Sequence, residues 1–433
     1  MVEPITTSMS PHRSLGDTLA AASDGNARFP SRVLLYTARF APSTGGTETF
    51  AARLAGGLVE SGLAVRLITD TAASEEPEGP PCPVVRRPSR RRMFELVRWA
   101  DVVHLSGFDL PLFLLAKVLH KPVVWTHHDY GPTECARPEL ARKRGGCGPL
   151  HFGICWPRLR QRSSFVGSLR SYLRQWVQLG ARYLVEANVV ILESHRRALN
   201  IEGAHVIPYW TEPRQAAKPE TRPSPATVVF ASRHAAGKGG DVLLRALARL
   251  LPTSAEWRVV LAGDGPERRQ WMSLAARLGV PAEFPGALPW QRIPDLLRQA
   301  DVAVVPTVYC EYFGIIALEA MLEGIYVIAS ASGGLGQFVC GCQGGTFPPG
   351  DDSALAGLLQ AILSDRRQAA VLGANVREQA ARLFPRAESI CAYVRLYESF
   401  SRKSARSARP FEAVRSVSPG RSGFNDEGAR PRE

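Results

Sequence analysis

The sequence has no long uninterrupted apolar segment. Its best candidate for one, residues 105–119, is interrupted by Asp109, Pro111 and Lys117, whereas a membrane-spanning helix needs roughly 20 consecutive, mainly apolar residues. The N-terminal residues also lack the order of basic and then apolar residues that is typical of a secretory signal peptide. We therefore expect a cytoplasmic protein that spans no membrane.

Cysteine is scarce, with 8 residues in a chain of 433. Without a signal peptide, this number favours reduced thiols over a disulfide framework. Three cysteines and a histidine share one basic, glycine-rich stretch, namely Cys135, Cys147, His151 and Cys155. The cysteine spacings are not those of a regular zinc finger, so we predict no metal there and interpret the thiols as unrelated. A metal site or a disulfide stays open as an alternative.

Acidic residues are outnumbered, 40 against 53 basic ones, and the net charge is +13. The excess lies in two segments: residues 86–98 hold six arginines and one glutamate, and residues 137–174 hold nine basic residues and one acidic one. Such concentrations indicate an anionic partner, which is a phosphate, a membrane surface or a nucleic acid. No basic motif interleaved with aromatic residues supports nucleic-acid binding, so we predict none.

A basic amphipathic helix is predicted within the second of these segments. Its apolar residues recur at helical spacing, at Phe165, Leu169, Tyr172, Leu173 and Trp176. One interpretation is a helix that packs on the core and exposes a basic face. The other is a helix that lies on an anionic membrane surface, where Trp, Tyr and Arg suit the headgroup region.

Short β-type runs alternate with helical patterns, which predicts an α/β fold with parallel sheets. The predicted strands are residues 32–37, 65–69, 102–105, 123–126, 189–192, 205–207, 228–231, 258–262, 302–305 and 326–329. A proline-rich linker separates two such series, so we predict two Rossmann-like domains that face a common cleft. The predicted divisions are a disordered N-terminus (1–30), an N-terminal domain (31–211), a linker (212–226), a C-terminal domain (227–385), a helix (386–400) and a disordered tail (401–433).

Two carboxylates stand eight positions apart after one of these strands. If a helix begins near Phe313, Glu311 lies in the loop before it and Glu319 lies two turns along it. The first amides of that helix, at residues 313–315, would then be free to bind an anion. Carboxylates and amides in this arrangement suit a ligand that carries both hydroxyl groups and phosphate. A surface glutamate and a helix-capping glutamate are the alternative.

Three further loops follow predicted strands. Arg233 and Lys238 are two cations on one strand-end loop and could hold a diphosphate. Gly45-Gly46 lies between a strand and a helix, where glycine permits close approach to a ligand. His128 follows another strand and could orient a hydroxyl or move a proton. The alternatives are solvated charges, a tight turn and a structural histidine.

Together these residues resemble a retaining glycosyltransferase of the GT-B class with the E-x7-E signature. Within that class the sequence is similar to glycosyltransferase family 4, group 1. The resemblance covers about residues 31–400. In the C-terminal domain the motifs occur in the family's order, as Arg233-x4-Lys238-Gly239, residues 261–266, residues 300–307, Glu311-x7-Glu319 and Gly333-Gly334. In the N-terminal domain, residues 42–48, 101–104 and 126–129 also match.

The resemblance implies a nucleotide-diphosphate sugar as the donor substrate, bound mainly by the C-terminal domain, and no cofactor or metal. Arg233 and Lys238 would hold the diphosphate, Glu311 the sugar hydroxyls and Glu319 the ribose. The implied catalytic residues are His128, Arg233, Lys238 and Glu311. The implied donor-binding residues also include Gly45, Gly46, Gly263, Phe313, Gly314, Ile315 and Glu319.

Three positions depart from the family pattern. Gln337 replaces a glutamate, Tyr326 replaces a proline, and residues 209–211 replace an Asn-Gly. None is one of the implied catalytic groups, so we predict an active enzyme that transfers a sugar to a glycan, a lipid-linked saccharide or a small molecule. The alternatives are a nucleotide-sugar epimerase or phosphorylase of the same fold, and a catalytically silent binding protein.

Overall fold

A computed structural model describes residues 32–41, 45–72, 80–129, 164–211, 225–251 and 257–407, and residues 401–407 are described by their backbone alone. Several predictions therefore fall outside the described residues. They concern the N-terminus (1–30), most of the linker and of the tail, and Cys135, Cys147, His151 and Cys155.

The first sheet has seven strands in the order β3-β2-β1-β4-β5-β6-β7, and every neighbouring pair is parallel. The order reverses between β1 and β4, and such a switch point opens a crevice at the carboxyl ends of the strands. The strands are Arg32–Thr37 (β1), Ala64–Thr69 (β2), Val84–Arg86 (β3), Val102–Leu105 (β4), Val123–Thr126 (β5), Ala187–Val190 (β6) and His205–Val206 (β7).

The second sheet repeats this topology with six parallel strands in the order β10-β9-β8-β11-β12-β13. Its switch point lies between β8 and β11. The strands are Ala226–Ala231 (β8), Trp257–Ala262 (β9), Ala282–Gly286 (β10), Val302–Val305 (β11), Tyr326–Ser330 (β12) and Gly345–Phe347 (β13).

Helices connect the strands, as parallel pairing requires. In the first half they are Gly46–Glu60 (α1), Arg90–Trp99 (α2), Leu110–Val118 (α3), Phe165–Ala181 (α4) and Glu193–Leu199 (α5). In the second half they are Gly240–Ala248 (α6), Arg268–Leu278 (α7), Ile293–Arg298 (α8), Ile315–Leu322 (α9), Gly333–Gly341 (α10), Asp352–Ser364 (α11), Arg366–Leu383 (α12) and Arg386–Ser407 (α13). No helix in these described ranges has both the length and the apolar character that crossing a bilayer demands.

The two sheets confirm the predicted α/β fold class, but the strand predictions were incomplete. The strands β3, β10 and β13 were missed, and β6 begins and ends two residues earlier than predicted. β3 and β13 have three residues each, too few to show an alternating pattern, and β10 contains Pro285. Because β3, β10 and β13 lie at sheet edges, they also tolerate sequences that a central strand would not.

In each sheet one aspartate links the two central strands, and its position is equivalent in the two sheets. The Asp101 carboxylate accepts the backbone N–H of Arg32 at 3.1 Å, and the Asp301 carboxylate accepts that of Thr227 at 2.8 Å. Each aspartate directly precedes the strand beyond the switch point, β4 or β11. These aspartates therefore fix the start of the central strand in both sheets.

The last helix, α13, packs on the first sheet although it follows the second sheet in sequence. The Tyr397 hydroxyl lies 2.5 Å from Nδ1 of His104 in β4, and Nε2 of His104 lies 2.8 Å from the Thr126 hydroxyl. Burial of the imidazole lowers the pKa of His104 to about 3. The neutral ring thus joins α13 to two strands inside the core.

Candidate functional site

The loop after β8 and the loop after β11 meet at the carboxyl edge of the second sheet. Nζ of Lys238 lies 2.6 Å from Oε2 of Glu311, and the two side chains are 24% and 16% exposed. Burial lowers the pKa of Lys238, but the Glu311 carboxylate outweighs that effect and the net pKa is raised. Two residues predicted to share a site are therefore in direct contact, and the lysine is charged.

Tyr309 completes this group. The Lys238 ammonium lies 4.9 Å from the centre of the Tyr309 ring, within range of a cation–π interaction. Burial, and then the charge of Glu311, raise the pKa of Tyr309 to about 12. The phenol is therefore protonated at neutral pH and can donate a hydrogen bond.

The two loops are held together by their backbones. Val308 donates its N–H to the carbonyl of Gly237 at 2.8 Å. Gly239 has a φ of +77°, and a Cβ placed there would lie 1.8 Å from the carbonyl oxygen of Pro306. Only glycine permits this approach, which brings Lys238 to Glu311.

Helix α9 begins directly beside this pair. Gly314 has a φ of +77° and precedes the helix, and the Phe313 ring stacks on Phe338 with centroids 4.5 Å apart. Amides in the first turn of a helix have no acceptor within the helix, so they can bind an anion. A Cβ added to Gly46 would lie 3.2 Å from Cδ1 of Ile315, so the glycine loop before α1 approaches the start of α9.

The second carboxylate of the signature is paired across the two domains. Oε1 of Glu319 accepts a hydrogen bond from Nη2 of Arg53 at 2.7 Å, and both side chains are about 15% exposed (14% and 16%). Nη1 of Arg53 lies 3.5 Å from the carbonyl oxygen of Trp210. Sequence reasoning missed Arg53, because nothing in the pattern of α1 distinguishes it from a solvated arginine.

His195 holds the Glu311 loop from the other side. Leu192 donates its N–H to Nδ1 of His195 at 3.2 Å, so the ring proton is on Nε2, which lies 2.6 Å from the Tyr312 carbonyl. The His195 ring also stacks on the Tyr312 ring at 3.5 Å. Burial lowers the pKa of His195 to about 3, despite the carbonyl contact that favours the charged form. This neutral histidine was also missed from the sequence.

His128 lies in an aromatic cluster on the first domain's side. Its Nδ1 is hydrogen-bonded to the Tyr209 hydroxyl, and the Tyr209 ring contacts the Phe313 ring at 5.0 Å. Within the described ranges, Nε2 of His128 has no hydrogen-bond partner. Burial, followed by the neighbouring histidines, lowers the pKa of His128 to about 3. At neutral pH the ring is uncharged and a weak base.

The neighbouring His127 has a structural environment instead. Its Nε2 lies 2.9 Å from Oδ1 of Asn188, and its ring contacts that of Trp125 at a tilt of 35°, with centroids 4.3 Å apart. The ambiguity between the two adjacent histidines is thus reduced, because among the described residues His128 bonds to Tyr209, whose ring contacts Phe313 of the candidate site.

Two further predicted residues, Arg233 and Gly263, lie on strand-end loops of the same sheet. Arg233 is exposed on the loop after β8. Gly263 follows β9, and a Cβ there would lie 1.9 Å from the Ser232 carbonyl oxygen, so it too must be glycine. In the described part of the chain, no group of three or more His, Cys, Asp or Glu residues is placed to hold a metal ion.

Two parallel sheets of Rossmann order, with charged loops at their carboxyl edges, define a GT-B architecture. Two family models match consecutive segments of the chain. Residues 211–379 match the model described as glycosyl transferases group 1, and residues 44–208 match glycosyltransferase family 4. These matches support a GT-B glycosyltransferase of group 1, in agreement with the resemblance.

Relatives agree with this assignment. The chain is 38% identical over 176 residues to D-inositol 3-phosphate glycosyltransferase 2 of Catenulispora acidiphila, a match that covers 37% of this chain and 40% of that protein. The chain thus spans less than two thirds of the length of the first curated relatives it matches.

Solved structures show the same fold. Sucrose-phosphate synthase from Thermosynechococcus elongatus has a TM-score of 0.66 at 21% identity, covering 86% of this chain and 100% of that one. Anabaena HepE in complex with UDP-glucose has a TM-score of 0.60 at 18% identity, covering 87% and 99%. At these identities the likeness establishes the GT-B fold.

Proposed function

We propose that this protein is a retaining glycosyltransferase that moves a sugar from a nucleotide-diphosphate donor to a hydroxyl group of its acceptor. The observation that carries the proposal is the contact between Lys238 and Glu311 at the carboxyl edge of the donor-side sheet. A sugar diphosphate presents hydroxyl groups and negative charge side by side. A carboxylate and a cation held together by two rigid loops are complementary to that pattern.

Each member of the pair has a separate task in this proposal. The charged Lys238, aided by Arg233 and the first amides of α9, stabilises the diphosphate as the bond from the sugar carbon to phosphate breaks. Glu311 accepts hydrogen bonds from the sugar hydroxyls and orients the ring. These groups can offset the leaving-group charge, so we propose that transfer needs no bound metal.

The groups around the pair extend the donor site. Glu319 accepts hydrogen bonds from the ribose hydroxyls. Gly45 and Gly46 of the glycine loop approach the phosphates from the first domain. Gly263 keeps the backbone near the nucleotide free of a side chain. Support comes from the approach of Gly46 to Ile315, which brings that loop to the start of α9.

His128 is proposed to orient the sugar or the acceptor hydroxyl through its Nε2 atom. Because burial lowers its pKa to about 3, the ring does not take up a second proton at neutral pH and acts as a neutral hydrogen-bonding group. We propose that the hydroxyl proton passes to the departing diphosphate, whose oxygens gain negative charge as the bond to the sugar breaks.

The acceptor is proposed to be a glycan, a lipid-linked saccharide or a small molecule, approached at an anionic membrane surface. Helix α4 exposes apolar side chains, among them Leu173 and Trp176 at 53% and 41%, beside the exposed Arg170 and Arg174. This composition suits a lipid headgroup region.

Sedimentation with phosphatidylglycerol vesicles tests this proposal. The protein should sediment with the vesicles at low salt and should not do so at high salt, and Trp176→Glu should weaken the binding. Equal binding to vesicles without net charge would show that electrostatic attraction to the membrane surface plays no role.

Lys238→Met and Glu311→Gln test the chemistry. With a panel of nucleotide sugars and acceptors, each variant should lower kcat about a hundredfold or more, because one transition-state contact is lost. Lys117→Met is the matched control, since Lys117 pairs with Glu186 at 2.7 Å away from the site. Near-normal turnover in both variants would refute the site.

The product distinguishes the remaining alternatives. Retention requires the product's anomeric configuration, read by NMR, to equal the donor's. Donor isomerised without acceptor would favour an epimerase, and phosphate-dependent cleavage would favour a phosphorylase. A protein that binds donors but neither hydrolyses nor transfers them would be a silent binding protein.

A further inference from the structure

Helix α1 of the first domain contacts helix α9 at two places. Gly46 approaches Ile315 at the start of both helices, and farther along Arg53 binds Glu319. The Arg53 contact joins residues 266 positions apart in sequence. It reaches the carboxylate that, in the proposed function, accepts the ribose hydroxyls.

The geometry of the contact leaves half of the carboxylate available. Arg53 occupies Oε1 of Glu319, and within the described ranges Oε2 accepts no hydrogen bond. A carboxylate that is held at one oxygen has a fixed orientation, and its second oxygen can still accept a hydrogen bond from a ligand. The small exposure of both partners limits competition from water.

The guanidinium also reaches the segment that leads out of the first domain. Its Nη1 atom lies 3.5 Å from the carbonyl oxygen of Trp210, and the Trp210 ring contacts those of Phe50 and Tyr393. Arg53 therefore lies between α1, this segment and α9. Its position depends on how the two domains are oriented.

We infer that Arg53 is a positioning residue for donor recognition: it holds Glu319 in the orientation that accepts the ribose hydroxyls, and it does so only when the domains are in the orientation seen here. This inference rests on the proposed function. According to this inference, Arg53 of the first domain and Glu319 of the second together distinguish ribose from sugars that lack these hydroxyls.

The test compares a ribonucleoside diphosphate with its 2′,3′-dideoxy counterpart by calorimetry. The base is the one that stabilises the wild-type protein most in a panel of nucleoside diphosphates. The wild type should bind the ribonucleotide at least tenfold more tightly. Arg53→Met should reduce this preference about tenfold and leave the dideoxy affinity nearly unchanged, since one hydrogen bond to a charged group is worth about tenfold or more.

Four further variants complete the experiment. Glu319→Gln should lose the same preference, and adding Arg53→Met to it should change nothing more. Arg53→Lys keeps the positive charge but lacks the planar guanidinium with its several donors, so it should retain part of the preference for the ribonucleotide. This variant keeps the inference testable if Arg53→Met fails to fold. Arg386→Met is the control, because Arg386 pairs with Glu60 at 2.6 Å near the far end of α1. Its preference should equal the wild type's.

The outcomes separate the two proposals. If the wild type prefers the ribonucleotide and both Arg53 variants keep that preference in full, the role of Arg53 is refuted and the proposed function stands. If the wild type binds both nucleotides equally, the role of Glu319 and that of Arg53 both fail. If no nucleoside diphosphate binds the wild type, the proposed function fails, and this inference fails with it.

Discussion

Replacing His195 tests whether a neutral histidine holds the Glu311 loop. The ring satisfies two backbone groups, the Leu192 amide through Nδ1 and the Tyr312 carbonyl through Nε2. His195→Ala would leave both groups unpaired in a fully buried site, at a cost of about 1–3 kcal/mol each. His195→Gln can still donate to the Tyr312 carbonyl and should cost less.

The protonation equilibrium gives a second, independent magnitude. Burial lowers the pKa of the folded-state His195 to about 3, whereas an unfolded histidine titrates near pH 6.5. Above pH 6.5 the ring is neutral in both states. Below it the unfolded chain binds a proton that the folded chain does not, so stability falls as the pH decreases toward 3. When the pH is lowered from 7.5 to 5.5, this one ring should decrease the free energy of unfolding by about 1.4 kcal/mol.

Urea unfolding at pH 7.5 and 5.5 measures this difference. His195→Gln carries no titratable ring, so its stability should fall by about 1.4 kcal/mol less than that of the wild type over this interval. His205→Gln is the control, because His205 is exposed on the edge strand of the same sheet. An equal pH dependence in His195→Gln and the wild type would show that the folded protein protonates this ring, and the reasoning would be wrong.

Two further substitutions test the packing that supports the site. Gly239→Ala should destabilise the protein by several kcal/mol in thermal unfolding, because its Cβ would lie 1.8 Å from the Pro306 carbonyl oxygen. Gly286→Ala has a similar φ of +83° but no atom within 4 Å, so it should cost only about 1–2 kcal/mol; equal costs would refute the clash. Tyr397→Phe should lower the free energy of unfolding by about 1–3 kcal/mol in urea, because it leaves Nδ1 of the buried His104 unpaired; an unchanged value would contradict that account.

The fold was predictable because its signals are local. Alternating β-type runs and helical patterns identify ten of the strands and the two-domain α/β class without tertiary information. The missed strands are very short (β3 and β13) or contain proline (β10), and each is stabilised by a neighbouring strand that the sequence does not identify. The contact between Lys238 and Glu311 was also within reach, since both follow parallel strands whose carboxyl ends meet at one edge.

The contacts made by Arg53 and His195 were out of reach for a physical reason. Arg53 lies 266 positions from Glu319, and His195 lies 117 positions from Tyr312. Each contact depends on the orientation of one domain relative to the other, which no local pattern encodes. The side chains also lack a distinguishing signal, since one is an arginine in a helix and the other a histidine in a short helix.

These cross-domain contacts converge on a single short segment. His195 binds the residue after Glu311, Gly46 approaches the start of α9, and Arg53 binds Glu319. If the ligand of this segment binds more tightly in the orientation in which the three contacts form, it favours that orientation. Losing one of the three contacts lowers the affinity for such a ligand only as far as it reduces the fraction of molecules in that orientation. Under the proposed function, donor affinity thus depends also on residues of the first domain, which carries neither Glu311 nor Glu319.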